Sequence, residues 1–336
     1  MREAIISFPM FGQGFSLDPP SYISIGSFKI YFYGIIIALG FVLAILYASK
    51  TCRRFDMKMD DVYDYLIWAT VCAIICARLY YVVFYFSWEQ IKADPMSVFR
   101  IRDGGIAIYG GVIGAVLGLA LRARMRKDSL YPELDVMSLG LLIGQLVGRW
   151  GNFFNREAYG YETDIFCRMG LTTASGTVYV HPTFLYESLW NLLGLILLHI
   201  HSKSHRRYQG QYFLLYVIWY GIGRAMIEGL RSDSLWLVPD VIRVSQLLAV
   251  VTAAAALCVY ILNSRRLAAG SKPLFGALPA GPESETGPDA GESVDESAPE
   301  APGESTAAEA VENSVADIDE CDIIEAQSDE KENEGS

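Results

Sequence analysis

The chain has 336 residues, of which 52% are hydrophobic, yet its formal net charge is −11. Residues 1–266 carry 19 acidic and 25 basic side chains, whereas residues 267–336 carry 19 acidic and two basic ones. The negative charge therefore describes a tail, and the larger part of the chain is basic and very apolar. This composition excludes an acidic globular enzyme, and the lack of a dominant basic stripe argues against a nucleic-acid-binding protein.

Seven apolar stretches reach or approach the roughly 20 residues that a membrane-spanning helix needs. They are residues 30–49, 62–86, 104–121, 134–152, 182–200, 211–228 and 242–262. The fourth and sixth are weaker because each contains an arginine. We therefore predict an all-α integral membrane protein whose seven transmembrane helices form one domain, residues 1–266.

Basic residues predict the orientation of these helices. One set of connections carries 14 lysines and arginines in short segments, whereas the alternate set carries nine over longer segments. Cytoplasmic loops are enriched in these residues, so we expect the N-terminus outside and the C-terminus in the cytoplasm. Residues 267–336 are rich in Ala, Gly, Pro, Ser and Glu and predict a disordered acidic cytoplasmic tail. An acidic docking segment is the alternative interpretation of this tail.

Two of the predicted spans carry glycines at four-residue spacing. They are Gly110, Gly114 and Gly118 in the third span, and Gly140, Gly144 and Gly148 in the fourth. Each series lines one helix face and lets another backbone approach closely. We predict that the third and fourth helices cross at these glycines.

Three arginines, Arg78, Arg149 and Arg224, lie inside predicted spans. An arginine at that depth costs about 2.5–3.5 kcal/mol, so each needs a partner, a water-filled cavity or an anionic ligand. Internal ion pairs, for example with Glu187 or Glu228, are one explanation, but three such arginines favour an anion site. Arginine donates two parallel hydrogen bonds to a phosphate, and lipid headgroup phosphate is the most abundant anion at that depth.

Spacing places further polar residues on the same helix faces as two of these arginines. The sixth span has such a face: Tyr220, Arg224, Glu228 and Arg231. The fourth span has another: Gln145, Arg149 and Asn152. We expect both faces to converge on one cavity near the outer leaflet. The sequence has no Cys–His cluster with zinc spacing, so we expect no metal site. It also has no Walker loop and no Gly-x-Ser-x-Gly elbow.

A dense polar run ends the fourth span, and helix termination by Asn and Gly explains only part of it. The run reads Gly148-Arg149-Trp150-Gly151-Asn152-Phe153-Phe154-Asn155, followed by Glu157 and Gly160. It resembles the signature of the prolipoprotein diacylglyceryl transferase family. Weaker supporting matches occur in family order over about residues 20–262: Tyr33-Gly34, Ala77-Arg78-Leu79, Gly104-Gly105 through Gly110-Gly111, His181-Pro182 through Tyr186-Glu187, Tyr220-Gly221 with Arg224 and Glu228, and Ser245-Gln246.

The resemblance implies a transferase of the bacterial plasma membrane. Such an enzyme moves the diacylglyceryl unit of phosphatidylglycerol to the lipobox cysteine thiol in the signal peptide of a preprolipoprotein. A thioether forms and glycerol 1-phosphate leaves. The implied partners are therefore phosphatidylglycerol, these signal peptides and membrane lipid, and no cofactor is needed because the phosphoester already activates the donor.

The resemblance also assigns candidate residues. It implies that phosphatidylglycerol is bound by seven residues: Arg149 foremost, Asn152, Glu157, Tyr33, Arg78, Tyr220 and His181. For His181, capping or simple hydrogen bonding remains an alternative. Arg224 and Glu228 resemble a second functional arginine with its orienting carboxylate.

Tyr109 is a third candidate catalytic residue. It stands where one branch of the family has a histidine that has been proposed as a base. A tyrosine pKa near 10 makes a poor base. Tyr109 could instead donate a hydrogen bond to the headgroup, with Arg224 lowering the pKa of the incoming thiol, and the base stays unassigned.

Two other kinds of protein compete with this interpretation. A secondary transporter of an anionic solute would also place arginines in its spans, but the halves of the chain show no clear repeat. A non-enzymatic membrane scaffold that uses the acidic tail would leave the three arginines without a reason.

Overall fold

The computed structural model describes residues 4–12, 14–26, 28–100, 104–238, 241–274, 276 and 278. Its helices are α1 (Phe32–Thr51), α2 (Met59–Tyr85), α3 (Trp88–Ala93), α4 (Ile108–Arg126), α5 (Tyr131–Asn155), α6 (Thr183–Ser202), α7 (Gln211–Glu228) and α8 (Val244–Ala268). All of them except the six-residue α3 coincide with the apolar stretches of the sequence.

Among the described residues, five helices are long and apolar enough to cross a membrane: α1, α2, α4, α6 and α8. Helices α5 and α7 lie outside this group, and they contain Arg149 and Arg224. These are the two spans that the sequence marked as weaker. A mostly helical protein with several apolar helices is confirmed, and the number seven stays a prediction.

The expectation of an all-α protein was wrong in one respect, because short strands form a small sheet. Its strands are β1 (Ile5–Ser7), β2 (Ser16–Leu17), β5 (Met169–Thr173) and β6 (Gly176–Val180). They pair antiparallel in the order β2-β1-β5-β6. Two hairpins stand apart from this sheet: β3 (Tyr22–Ile25) with β4 (Phe28–Tyr31), and β7 (Trp236–Val238) with β8 (Ile242–Arg243). Strands of two to five residues are too short to show a clear alternating pattern.

Two apolar clusters hold these elements together. One lies between the helices and includes Phe55, Leu139 and Tyr212. The other joins the sheet to the neighbouring ends of α5 and α6, and it includes Ile6 and Leu171, which pair across β1 and β5. Burial of these side chains fixes the sheet over the end of the helices.

The glycines of α4 pack against α2. A Cβ atom at Gly110 would lie 2.5 Å from the carbonyl oxygen of Cys76, and one at Gly118 would lie 2.5 Å from that of Trp68. A Cβ atom at Gly114, between these two glycines, would meet the carbonyl oxygen of Cys72. The absence of a side chain therefore brings the two helix backbones together.

The glycines of α5 instead face α1. A Cβ atom at Gly140 would lie 3.6 Å from Ala44 Cβ, and one at Gly148 would lie 3.3 Å from Ile37 Cδ1. The prediction that the third and fourth spans cross at their glycines was therefore wrong. One series packs α4 against α2 and the other packs α5 against α1. Glycine spacing within one helix does not reveal which other helix packs against it.

The start of α7 is fixed to α5 by a buried carboxylate. Asp135 accepts hydrogen bonds from the backbone N–H groups of Gly210 (2.8 Å), Tyr212 (2.8 Å) and Phe213 (3.0 Å). The first N–H groups of a helix have no partner within it, so a carboxylate there satisfies them and complements the helix dipole. This contact sets the position of α7 relative to α5.

A buried arginine fixes the N-terminal segment over the end of α5. Arg156 follows α5 in the left-handed region, with φ of 52°. Its guanidinium donates to the carbonyl oxygens of Ala4 (2.5 Å) and Pro19 (2.9 Å) and to the carboxylate of Asp18 (2.5 Å). The polar run after α5 therefore also supports the sheet.

The described start of the predicted tail contacts the helical part of the chain. Leu274 donates its backbone N–H to Asn263 Oδ1 at 2.8 Å, and Gln209 donates its own to the Gly276 carbonyl at 3.1 Å. The rest of the predicted tail lies outside the described residues, so its disorder stays a prediction.

Candidate active site

Glu187, in the second turn of α6, contacts three arginines from two other parts of the chain. Its Oε2 lies 2.5 Å from Arg149 Nη2. Its Oε1 lies 3.2 Å from Nη1 of both Arg224 and Arg231. The Glu187 side chain is only 5% exposed, so this charge is held among the helices by its ion pairs.

Glu228, one helical turn after Arg224 on α7, contacts two of the same arginines, Arg224 and Arg231. Arg224 Nη2 lies 2.7 Å from Glu228 Oε2, and Arg231 Nε lies 4.0 Å from the same oxygen. Arg231 also forms a two-point contact with Asp233, at 2.9 and 2.7 Å. Burial opposes ionisation of Asp233, but the hydrogen bonds and charge of Arg231 outweigh it and lower the pKa of this carboxyl.

We define the arginine cluster as Arg149, Arg224, Arg231, Glu187 and Glu228. Three guanidinium groups face the two buried carboxylates of the cluster, and the carboxylate of Asp233 pairs with Arg231 from outside it. Asp233 lies at its rim with a side chain that is 48% exposed. Guanidinium groups donate paired hydrogen bonds that fit phosphate oxygens, so three of them close together suit an anionic ligand.

The signature run holds Arg149 from the other side. Arg149 Nη1 donates to Asn152 Oδ1 at 3.4 Å. The side-chain amides of Asn152 and Asn155 both donate to Glu157 Oε1, at 3.2 and 3.1 Å. Asn152 and Glu157 thus orient Arg149 through a chain of hydrogen bonds.

Tyr33 lies beside this run. Its ring packs over Gly151, where a Cβ atom would be 2.7 Å from Tyr33 Cδ2. Tyr33 stands in the first turn of α1, and its side chain keeps a 38% exposed surface. The close approach of ring and backbone explains why a glycine precedes Asn152.

His181 lies in the short connection between β6 and α6. Its Nδ1 lies 3.3 Å from Tyr186 Oη, which lies 3.5 Å from Cys167 Sγ. Its backbone accepts from Gly160 (2.9 Å) and donates to Tyr161 (3.0 Å). Burial lowers the pKa of His181, which favours the neutral ring. These contacts agree with the alternative that His181 hydrogen-bonds locally.

The structure places four of the ten predicted site residues within the cluster or in direct contact with it: Arg149, Asn152, Arg224 and Glu228. Glu157 reaches the cluster through Asn152. Tyr220 lies on the same face of α7 as Arg224, and its ring stacks on Tyr216 with centroids 5.9 Å apart.

Arg78 and Tyr109 make different contacts. Arg78 donates from Nε to the carbonyl of Val98, from Nη2 to that of Ser97, and from Nη1 to Gly104 and Gly105, at 2.6–2.8 Å. It thereby holds the backbone at residues 97–98 and 104–105 against α2. Tyr109 lies in the first turn of α4 and is 41% exposed. A contact of either residue with lipid stays a prediction.

Sequence reasoning omitted two members of the cluster, Glu187 and Arg231, from its candidate site residues. Both gave a signal: Glu187 closes the His181-to-Glu187 match, and Arg231 shares a helix face with Arg224 and Glu228. The described residues contain no group of three or more His, Cys, Asp and Glu side chains that could hold a metal ion.

Comparisons with known proteins identify relatives of this chain. Residues 20–262 match the family model described as prolipoprotein diacylglyceryl transferase. The chain is 42% identical over 271 residues to the phosphatidylglycerol–prolipoprotein diacylglyceryl transferase of Limosilactobacillus reuteri (strain DSM 20016), covering 76% of this chain and 96% of the relative. It is 43% identical over 246 residues to the protein of that name from Enterococcus faecalis, covering 70% of this chain and 87% of the relative. The protein of that name from Shouchella clausii is 40% identical over 248 residues, covering 71% and 88%.

Proposed function

We propose that this chain, which belongs to the prolipoprotein diacylglyceryl transferase family, transfers the diacylglyceryl group of phosphatidylglycerol to the lipobox cysteine of preprolipoproteins. The observation that carries the proposal is the arginine cluster, in which three guanidinium groups share two buried carboxylates. Guanidinium groups can bind the phosphate of a lipid headgroup directly, which a site made mainly of carboxylates could not do without a metal ion.

The reaction forms one bond and breaks one. The cysteine sulfur attacks the glycerol carbon that bears the phosphoester, and the C–O bond breaks with its electron pair going to the phosphate oxygen. Glycerol 1-phosphate leaves, and the thiol proton passes to a base that stays unassigned. A free cysteine has a pKa of about 8.5, so the site must also favour the thiolate.

The residues divide this work. Arg149, oriented by Asn152 and Glu157, binds the phosphate, and Tyr33, Tyr220, Arg78 and His181 are further candidates for lipid contact. Arg224, held by Glu187 and Glu228, stabilises charge as it develops on the departing phosphate and lowers the pKa of the incoming thiol. Preorganised guanidinium groups in a water-poor site give strong stabilisation of this kind.

We place the protein in the bacterial cell membrane with seven spans, the N-terminus outside and the C-terminus in the cytoplasm. The cluster members lie in the last two turns of α5, in the second turn of α6, in the last two turns of α7 and, for Arg231, just after α7. Such a position near helix ends suits an enzyme of the outer leaflet, whereas a transporter of an anionic solute would bind at mid-membrane.

The test supplies purified full-length protein with phosphatidylglycerol in mixed micelles and a synthetic lipobox peptide. We expect a mass increase of one diacylglyceryl group on the peptide and an equal amount of released glycerol 1-phosphate. A matched peptide with serine in place of the lipobox cysteine serves as the control and should stay unmodified. Absence of product from the cysteine peptide would overturn the assignment.

A further inference from the structure

A second polar layer lies one helical turn farther from the helix ends than the arginine cluster. Three side chains form it, each four residues from a cluster member on the same helix: Gln145 on α5, Asn191 on α6 and Tyr220 on α7. Residues four apart share a helix face, so these side chains face the same space between the three helices as the cluster does.

Direct contacts connect the helices at this level. Gln145 Nε2 donates to Tyr216 Oη at 2.9 Å, and the Tyr216 ring stacks on Tyr220. Trp150 donates to Ser188 Oγ at 3.2 Å, and Ser188 donates to the Leu146 carbonyl at 3.0 Å. These hydrogen bonds of Trp150 and Ser188 therefore align α5 with α6 next to the polar layer.

Two carbonyl oxygens in this layer have no hydrogen-bond partner among the described residues. They are Gln145 Oε1 and Asn191 Oδ1, both buried, and Asn191 as a whole is only 2% exposed. Buried acceptors without a partner are uncommon in folded proteins and point to a ligand or a water molecule. Each oxygen requires a donor, so phosphate oxygens, which only accept, do not fit here.

We propose that Gln145 and Asn191 form the subsite that accepts hydrogen bonds from the glycerol headgroup hydroxyls of phosphatidylglycerol. The phosphate then lies on the arginine cluster, and the three-carbon headgroup reaches one turn farther, about 5.4 Å. This inference rests on the proposed function and deepens it, because it assigns headgroup selection to two neutral amides.

The experiment compares phosphatidylglycerol with phosphatidylpropanol, which has the same charge and headgroup length but no headgroup hydroxyl. Native mass spectrometry of the detergent-solubilised full chain measures lipid binding, and the peptide assay measures kcat/KM. We expect the unmodified protein to favour phosphatidylglycerol by about ten- to a hundredfold, since each neutral hydrogen bond contributes up to about tenfold.

The variants Gln145→Met and Asn191→Leu preserve side-chain volume and remove the acceptor. Each should lower the affinity and kcat/KM for phosphatidylglycerol toward the phosphatidylpropanol value, while the phosphatidylpropanol value stays unchanged. Asn263→Leu is the matched control, because it removes a buried amide at the far end of α8, and it should keep the preference of the unmodified protein.

Three results would overturn the subsite: no preference in the unmodified protein, an unchanged preference in both variants, or an equal loss for the two lipids. An equal loss would show a purely structural role, with ordered water on the two oxygens. Selective binding of phosphatidylglycerol without any transfer would support the subsite and contradict the proposed function, so the two failures are distinguishable.

Discussion

Trp190 on α6 and Trp219 on α7 each donate the indole N–H to the other's backbone carbonyl, at 3.0 Å in both directions. Their rings stack with centroids 4.4 Å apart and planes 16° apart. Gly194 and Gly223, each four residues farther along the same helix, leave room for the partner's indole. This reciprocal contact sets the register between the helix that carries Glu187 and the helix that carries Arg224.

The two tryptophans should therefore be energetically coupled. Trp190→Phe and Trp219→Phe each remove one hydrogen bond and reduce the stack, which costs about 1–2 kcal/mol. The double variant should cost less than the sum, because both single changes disrupt the same contact. Chemical denaturation in detergent measures all three, and additive losses would show that the tryptophans act independently.

Replacement of Arg149 should separate charge from geometry. Arg149→Ala removes the contact to Glu187 and should abolish turnover while the fold persists. Arg149→Lys keeps the positive charge but loses the planar fork, so we expect about a hundredfold lower kcat/KM with part of the lipid affinity retained. The peptide assay measures kcat/KM, and native mass spectrometry measures the lipid affinity. Arg149→Lys with normal kcat/KM would show that the fork has no part in the reaction.

The two glycine series provide a matched pair of helix substitutions. Gly114→Ala places a Cβ atom against the backbone of Cys72 in α2, so we expect a loss of about 1–3 kcal/mol. Gly144→Ala places it where no heavy atom lies within 4 Å, and we expect no loss or a gain of up to about 1 kcal/mol. Thermal stability in detergent checks both. Equal effects would contradict the separate roles of α4 and α5.

Two buried carboxylates at the start of α5 should respond in opposite ways. Asp135 accepts three backbone hydrogen bonds from the start of α7, so Asp135→Asn should destabilise by about 1.5–3 kcal/mol. Glu133 is fully buried, and neither of its carboxylate oxygens has a hydrogen-bond partner among the described residues. Glu133→Gln should therefore be neutral or stabilising. A larger loss at Glu133 than at Asp135, measured by denaturation, would contradict this order.

His181 should make stability depend on pH. Its pKa is lowered in the folded protein, so its contribution is complete above the unfolded value of about 6.5 and is lost as the pH falls through the folded pKa. His181→Gln should flatten the stability curve over that interval. The unmodified protein gives the reference curve. Thermal melts between pH 5 and 8 measure both.

The long helices were predictable because each is a continuous apolar run, and the arginine cluster was partly predictable because spacing placed its members on shared faces. Partners across helices were not predictable. The choice of Glu187 as the common partner of three arginines depends on how α6 lies between α5 and α7. Arg78 shows the same limit: its position in a span suggested a lipid contact, whereas its four hydrogen bonds go to backbone carbonyls.

The pairing of β1 with β5 has a consequence for how the protein is made. Ile6 is synthesised before any of the helices, whereas its partner Leu171 follows only after the long helices α1, α2, α4 and α5. Arg156, which holds Ala4 and Asp18, is equally late. The segment that contains β1 and β2 therefore has no partner until α5 has been synthesised, and the sheet closes only as the helices that carry the arginine cluster are added.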